Sequence, residues 1–127
     1  RFSNKVTFSY DCAHLENILI PKLILQPIVE NSFIHGIKPM DGPGHIQLMA
    51  ERLDNTVTLT VMDNGVGMEK EQIDAIFRRS DSKSGIGIKN VNDRLKIWFG
   101  EAYGITIESV PDEGTRVIVR MPKKQKE

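Results

Sequence analysis

The sequence predicts an α+β fold, in which a mixed sheet of about five strands carries about three helices on one face as a two-layer α/β sandwich. Five short segments alternate apolar and polar side chains, as strands with one buried face do. Two longer segments repeat apolar residues at helical spacing. The chain has 127 residues, which is the usual size of one domain. We therefore expect a single domain over 1–127 with a disordered tail at 123–127.

The first half of the chain begins with a strand at 5–10, followed by a helix over 23–37. Ile24 and Ile28 mark one face of that helix, and Pro27 either opens the helix at its first turn or kinks it. Two strands follow around 46–51 and 57–62, where apolar and polar residues again alternate. The Asp54-Asn55 pair between them is typical of a hairpin turn, so we expect an antiparallel pair.

The second half of the chain contains two helices and a second hairpin. A short helix is expected at 69–77 and a polar loop at 78–84. A strongly periodic helix over 88–99 should stop at Gly100. The last strands are expected at 105–108 and 116–121, joined by the turn Pro111-Asp112-Glu113-Gly114.

The composition excludes several classes of function. Lysine plus arginine equals aspartate plus glutamate at 17 each, so the charge gives no case for nucleic-acid binding. Cys12 is the only cysteine, which excludes an internal disulfide and a cysteine-rich zinc site. No stretch approaches the roughly 18 apolar residues of a membrane span, and no signal-peptide pattern opens the chain. We expect no membrane insertion by this domain.

Asp63 opens the segment Asp63-Asn64-Gly65-Val66-Gly67 at the exit of a predicted strand. A buried carboxylate there could accept a hydrogen bond from the exocyclic amino group of adenine and reject the carbonyl of guanine. Gly65 and Gly67 would let the backbone approach a base closely. The alternative is an ordinary turn between two elements.

A second candidate group lies on the first helix, at Glu30, Asn31 and His35. The amide oxygen of Asn31 could bind Mg²⁺, which takes few protein ligands. Glu30 could orient or deprotonate a nucleophile, and His35 shares a helical face with Asn31. The alternatives are a solvated carboxylate, a surface amide and a histidine at the negative end of the helix dipole.

A third candidate segment, Gly85-Ile86-Gly87-Ile88, precedes the second long helix. Two glycines before a helix can present backbone N–H groups to a phosphate. The segment lacks the Gly-Lys-Ser/Thr ending of a P-loop, and Asn90 stands where the last glycine of a dinucleotide motif belongs. A simple helix-capping turn is the alternative.

These three segments in this order, with the closing EGTRVIVRMP, resemble the GHKL ATPases, and most of all the catalytic domain of LytS-like sensor histidine kinases. The resemblance implies the Bergerat α/β sandwich. It implies that Asn31 binds Mg²⁺ and that Asp63 recognises adenine. It further implies that Gly85 and Gly87 are hinges of a lid, and that Thr115 places a hydroxyl beside the adenine carboxylate.

Two positions depart from the family pattern. Ile34 stands where many members carry a basic residue that contacts phosphate, and Pro27 stands where gyrase-like relatives place a catalytic glutamate. Base catalysis by Glu30 therefore stays open. His14, His35 and His45 are not in the helical setting of a phosphoaccepting histidine, so we expect the acceptor to lie elsewhere in the parent protein.

The resemblance implies a function with defined partners. The chain would bind ATP and Mg²⁺ and transfer the γ-phosphoryl group to a histidine on a separate helical dimerisation domain, with a response regulator acting downstream. We expect a cytoplasmic, monomeric domain of a membrane-anchored sensor protein. The alternatives are a GHKL-type ATPase, an anti-sigma-like serine kinase, or a degenerate docking module that binds nucleotide without catalysis.

Overall fold

A computed structural model describes residues 6–11, 22–78 and 87–123 of the chain. The described residues form five strands, three α-helices and one π-helical segment. In chain order these are β1 (Val6–Asp11), α1 (Lys22–Asn31), the π-helical segment (Ser32–Ile37), β2 (Gly44–Leu53), β3 (Thr56–Asp63), α2 (Lys70–Arg78), α3 (Ile88–Phe99), β4 (Gly104–Val110) and β5 (Gly114–Pro122). The predicted α+β class is confirmed.

The five strands form one mixed sheet in the order β1-β2-β3-β5-β4. β1 runs parallel to β2, and the other neighbours are antiparallel. Both hairpin turns lie where turn residues predict them. Asp54 between β2 and β3 has φ 56° and Asp112 between β4 and β5 has φ 68°, a left-handed conformation that aspartate tolerates better than most residues.

All three helices pack on one face of the sheet, so the predicted two-layer arrangement is confirmed. Apolar side chains alternate along the strands because successive residues point to opposite faces. One core contains the inward residues of β2 to β5 and the buried apolar residues of α1 and α3, with α2 packed partly against it. Its fully buried members include Ile28, Ile37, Ile46, Val57, Leu59, Val61, Val91, Leu95, Val117 and Val119.

A row of four side chains crosses the sheet at the end where β3 exits. Ile46 on β2 lies opposite Asp63 on β3, and Asp63 lies opposite Thr115 on β5. Thr115 in turn lies opposite Ser109 on β4. The alternation of side chains along each strand points all four toward the helical layer. Three of them, Asp63, Thr115 and Ser109, are polar groups that lie between the sheet and the helices.

The predicted helix over 23–37 is interrupted by a change of winding. Pro27 lies in the interior of α1, not in its first turn, and it removes one N–H from the helical ladder. From Ser32 onward the winding is π-helical, with the Lys38 N–H donating to the Phe33 carbonyl at 2.9 Å, an i+5 bond. Because the turn is wider, Ser32, Gly36 and Ile37 are the buried residues of this segment.

The remaining boundaries agree with the expected ones to within a residue or two. Gly100 ends α3, and its N–H donates to the Lys96 carbonyl at 2.8 Å. The Lys123 N–H donates to the Asn55 carbonyl at 2.7 Å, and the rest of the tail lies outside the described residues. Within the described ranges, no helix is long and apolar enough to cross a membrane.

The two faces of α3 provide a matched test of the core. Leu95 is fully buried, whereas Ile97 is 79% exposed on the same helix. We expect Leu95→Ala to lower the free energy of unfolding by about 2–5 kcal/mol, because it leaves a cavity between helix and sheet. Ile97→Ala should change it by no more than about 0.5 kcal/mol. Urea unfolding measures both, and equal losses would contradict the packing described here.

Candidate functional site

The site is built around Asp63, the last residue of β3. Its side chain points under the helices, and the residue is only 8% exposed. Oδ1 accepts a hydrogen bond from the Gly65 backbone N–H at 2.8 Å. Oδ2 is buried and has no hydrogen-bond partner among the described residues. A buried carboxylate oxygen without a donor destabilises the folded state, so this atom is a candidate acceptor for a ligand donor.

Burial raises the pKa of Asp63 above its ordinary value, since removal from water disfavours the charged form. The Gly65 N–H, the Ser32 hydroxyl and the Thr115 backbone lower that pKa in part. The Ser32 hydroxyl lies near the carboxyl but does not form a hydrogen bond with it. Ser32 Oγ is buried and has no hydrogen-bond partner in the described part of the chain. Asp63 and Ser32 are thus two buried polar groups whose bonding is incomplete.

The π-helical segment approaches the carboxylate through Gly36. A Cβ atom on Gly36 would lie 2.8 Å from Oδ1 and 3.1 Å from Oδ2 of Asp63, so no larger residue fits without moving the carboxylate. Gly65 lies against Gly36, where an added Cβ would come within 2.2 Å of the Gly36 carbonyl carbon. The Val66 N–H completes the contact by donating to the Gly36 carbonyl at 3.0 Å.

The loop after Asp63 is held from the other side by the β4–β5 turn. Gly67 has φ +75°, and an added Cβ would lie 2.2 Å from the Val110 carbonyl oxygen. The Asp112 N–H donates to the Val66 carbonyl at 2.6 Å, and the Met68 N–H donates to Ser109 Oγ at 2.7 Å. Because it is fixed on both sides, the loop holds the carboxylate in one position.

Asn64 ties the same loop to β2 and explains why an exposed polar residue follows the carboxylate. Its Oδ1 accepts from the His45 N–H at 2.7 Å, and its own N–H donates to the His45 carbonyl at 3.3 Å. The side chain of Asn64 is therefore used in positioning the loop.

The residues expected to bind metal lie at the end of α1. Asn31 is half-buried and immediately precedes Ser32, so its Cα lies about 3.8 Å from that of a residue facing Asp63. Glu30 is exposed, and its Oε2 accepts from Gln26 Nε2 at 3.1 Å. His35 is exposed in the π-helical segment, where the α-helical argument for a face shared with Asn31 does not apply.

Of the predicted phosphate loop, Gly85 and Ile86 lie outside the described residues. Gly87 is extended at the N-cap of α3, with φ −110° and ψ −176°, and its carbonyl accepts from the Val91 N–H at 3.2 Å. The Ile88 side chain is buried in the core. Only the backbone of Ile88 can therefore face a ligand.

Sequence reasoning missed three residues of this site: Ser32 and Gly36, which lie next to the carboxylate, and Ser109, which contacts Thr115. The alternation of Ile105 and Ile107 along β4 would have placed Ser109 on the inward face. Ser32 and Gly36 become neighbours of Asp63 through π-helical winding, for which the α-helical period offers no signal.

Two further features of the surface bear on ligands. A cleft of about 320 Å³ lies where β3, β4, β5 and the β4–β5 turn meet. Its lining residues are Met62, Asp63, Glu108, Ser109, Val110, Glu113, Gly114, Thr115 and Arg116. In residues 6–11, 22–78 and 87–123, no group of three or more histidine, cysteine, aspartate or glutamate side chains could hold a metal ion.

Comparisons with known proteins match nearly the whole chain. The profile of the family described as histidine kinase-, DNA gyrase B- and HSP90-like ATPase matches residues 17–125. The chain is 35% identical over 123 residues to the sensor histidine kinase YesM of Bacillus subtilis (strain 168), covering 96% of the chain and 20% of YesM. It is 32% identical to the sensor protein LytS of Bacillus anthracis, covering 98% of the chain and 22% of LytS. The chain thus spans about a fifth of these relatives.

Solved structures share the fold. The nucleotide-free catalytic domain of histidine kinase ThkA superposes with a TM-score of 0.69 at 18% identity, covering 93% of this chain and 78% of that domain. ThkA in complex with the response regulator protein TrrA gives a TM-score of 0.70 at 18% identity, covering 94% and 34% respectively. At this identity the likeness concerns the fold alone.

The raised pKa of Asp63 predicts how stability depends on pH. Between the pKa of the unfolded chain and the higher pKa of the folded state, the folded state binds more protons, so stability falls as pH rises through that window. Asp63→Asn removes the buried charge and should stabilise the ligand-free domain at neutral pH by roughly 1 kcal/mol. The gain should shrink as pH falls and the wild-type carboxyl becomes protonated.

Urea unfolding of wild type and variant across a pH series measures this difference. Asp54→Asn is the matched control, since Asp54 is exposed in the β2–β3 turn and should change stability by no more than about 0.5 kcal/mol. If Asp63→Asn is less stable than wild type at neutral pH, the Asp63 carboxylate is not an uncompensated buried charge.

Proposed function

Because the chain belongs to the family of histidine kinase-, DNA gyrase B- and HSP90-like ATPases, we propose that it is the ATP-binding catalytic domain of a sensor histidine kinase. The observation that carries the proposal is the buried, unpartnered Oδ2 of Asp63. A carboxylate in this position has an unused acceptor for one N–H group of a ligand.

Adenine fits this acceptor. Its exocyclic amino group donates where guanine presents a carbonyl, and a hydrogen bond to a charged acceptor contributes about 1.5–3 kcal/mol. Gly36 packs directly against the carboxylate, where an added Cβ would lie 2.8 Å from Oδ1, so no side chain of this residue competes with a ligand for the carboxylate. Thr115, buried beside Asp63 in the sheet register, adds a hydroxyl to the same wall.

We assign Mg²⁺ to Asn31, which is half-buried one residue before Ser32. Mg²⁺ takes most of its oxygen ligands from water and phosphate, so one protein amide suits it where no acidic cluster is described. The backbone N–H groups of Gly87 and Ile88 at the start of α3 are assigned to the phosphates, and from the sequence motif alone we include Gly85 and Ile86. A base role for Glu30 and a nucleotide contact by His35 remain part of the proposal.

Bound ATP supplies the transferable γ-phosphoryl group, and this chain supplies positioning and charge neutralisation. The acceptor is a histidine on the helical dimerisation domain of the parent kinase, and a response regulator receives the signal indirectly. Support comes from the sensor-kinase relatives and from the structural neighbour solved with a response regulator. We place the domain on the cytoplasmic side of a sensor protein.

The proposal is tested with γ-labelled ATP, this domain and the helical segment of the parent protein. Acid-labile label on the helical segment is expected, whereas acid-stable label would indicate a serine kinase. Ile34 is 46% exposed at the position where the family resemblance implies a basic residue that contacts phosphate, and it favours a second candidate, a docking module without catalysis. Tight ATP binding with no label on any acceptor would support that candidate and contradict ours.

Asp63→Asn should lower ATP affinity by at least about tenfold, because it replaces the charged acceptor by a neutral amide. Calorimetric titration measures the dissociation constant, and Asp54→Asn serves again as the control with unchanged affinity. ATP affinity equal to that of wild type in Asp63→Asn would remove Asp63 from the nucleotide site.

Asn31→Ala should leave the domain folded and reduce Mg²⁺-dependent transfer, since one metal ligand is lost. In a magnesium titration of transfer, the midpoint should move to higher Mg²⁺ concentration by roughly tenfold. Asn55→Ala, in the exposed β2–β3 turn, is the control. A midpoint shared with wild type would exclude Asn31 as the ligand.

A further inference from the structure

The π-helical segment after α1 carries two large apolar side chains on its solvent side. Phe33 is 40% exposed and Ile34 is 46% exposed. The buried residues of the segment are Ser32, Gly36 and Ile37. Because these pack toward the sheet, the residues between Ser32 and Gly36 face away from it. The winding therefore holds an apolar pair in the solvent directly after the proposed metal ligand.

Residues of opposite charge stand at the two ends of this pair. Glu30 lies four residues before Ile34, a spacing that shares one helical face. Lys38 lies one π-helical turn after Phe33, since its N–H donates to the Phe33 carbonyl at 2.9 Å. Both charged residues are exposed, and neither forms an ion pair within the described residues. From Glu30 to Lys38 this α1-end surface spans roughly 12 Å of helix.

The position of the α1-end surface indicates what covers it. In the proposed function Asn31 holds the Mg²⁺ of ATP, and Mg²⁺ binds phosphate oxygens at about 2.0–2.1 Å. The nitrogen of an acceptor histidine must then come within about 3–3.5 Å of the phosphorus. Helices in contact lie about 8–10 Å apart. A helix that delivers its histidine to a phosphate at Asn31 therefore reaches the exposed side chains next to Asn31.

Other exposed apolar side chains lack this placement. Ile97 and Trp98 are 79% and 58% exposed, but they lie in the last turn of α3, and the proposed phosphate contacts are at its first turn. A helix of 12 residues separates its two ends by about 18 Å. The exposed end of α3 is therefore not next to the transferred group, and it provides a control.

We propose that the α1-end surface docks the helix that carries the phosphoaccepting histidine. The inference rests on the proposed function, since it needs bound ATP and transfer to a helical partner. An apolar side chain of that helix covers Phe33 and Ile34, while an acidic residue meets Lys38 and a basic residue meets Glu30. The opposite charges fix the direction of the helix, because the reversed helix would bring like charges together. Phe33 and Ile34 are positioning residues that touch the acceptor helix and not the nucleotide.

The test measures transfer from γ-labelled ATP to the helical segment of the parent protein at increasing segment concentration. Ile34→Ser removes the apolar contact without adding charge. The KM for the segment should therefore rise at least about tenfold, while kcat and the dissociation constant for ATP stay within about twofold of wild type. Ile34→Leu, which keeps an apolar side chain, should retain the wild-type KM. Ile97→Ser is the matched control and should leave all three values unchanged.

Ile34→Lys separates docking from a contact with phosphate. If position 34 serves the phosphates, a lysine there tightens ATP binding and leaves the KM for the segment no higher than in wild type. The inference predicts a KM raised at least about tenfold, because a charged side chain replaces the apolar contact.

Lys38→Glu tests the charged end of the surface. The KM for the segment should rise about fivefold at low ionic strength, and the difference from wild type should shrink as salt is added. Arg52→Glu makes the same change of charge on an exposed residue of β2, at the opposite end of the sheet from Asp63. It should leave the KM unchanged.

The outcomes separate this inference from the proposed function. If the wild-type domain transfers label and Ile34→Ser and Ile34→Lys keep its KM, the inference is overturned and the proposed function stands. If Ile34→Ser loses as much ATP affinity as transfer, the residue serves the nucleotide, and the inference is again overturned. If Ile34→Ser does not fold, Phe33→Ala decides, and an unchanged KM there overturns the inference. A wild-type domain that binds ATP but transfers no label overturns both.

Discussion

The structure depends on a carboxylate that is buried before its ligand arrives. Asp63 sits under the helical layer with one oxygen bonded to the Gly65 N–H and the other without a donor in the described part of the chain. In a folded protein such an atom is destabilising, and proteins accept this mainly at functional sites. A ligand that brings an N–H donor regains the lost interaction, which makes recognition of that ligand strong and specific.

The surrounding fold keeps this buried atom without a donor. The π-helical segment brings Gly36 against the carboxylate, so backbone fills the space that another side chain would occupy. The loop after Asp63 is held by Gly36 on one side and by the β4–β5 turn on the other. The carboxylate therefore cannot turn away to find a donor of its own, and its incomplete bonding is built into the packing.

The sequence predicts most of the fold because the strands alternate cleanly and α3 has strong helical periodicity. Asp63 was predictable for the same reason, since the alternation of β3 carries it to the inward face. The change from α-helical to π-helical winding after Asn31 could not be predicted, because the pattern of apolar residues in this segment gives no sign of a π-helix. The carboxylate also has neighbours on other strands and turns. These could not be predicted from the sequence, because they depend on how the strands pair and in which register.

The central claim is that the Asp63 carboxylate is buried without a sufficient donor until a nucleotide supplies one. Carbon-13 NMR of the side-chain carboxyl, assigned by its absence in Asp63→Asn, follows its titration with and without ATP. The account predicts a pKa above that of an ordinary aspartate in the free domain and a lower pKa when ATP is bound, because the amino group stabilises the charged form. An ordinary pKa in the free domain, or one that ATP leaves unchanged, would contradict it.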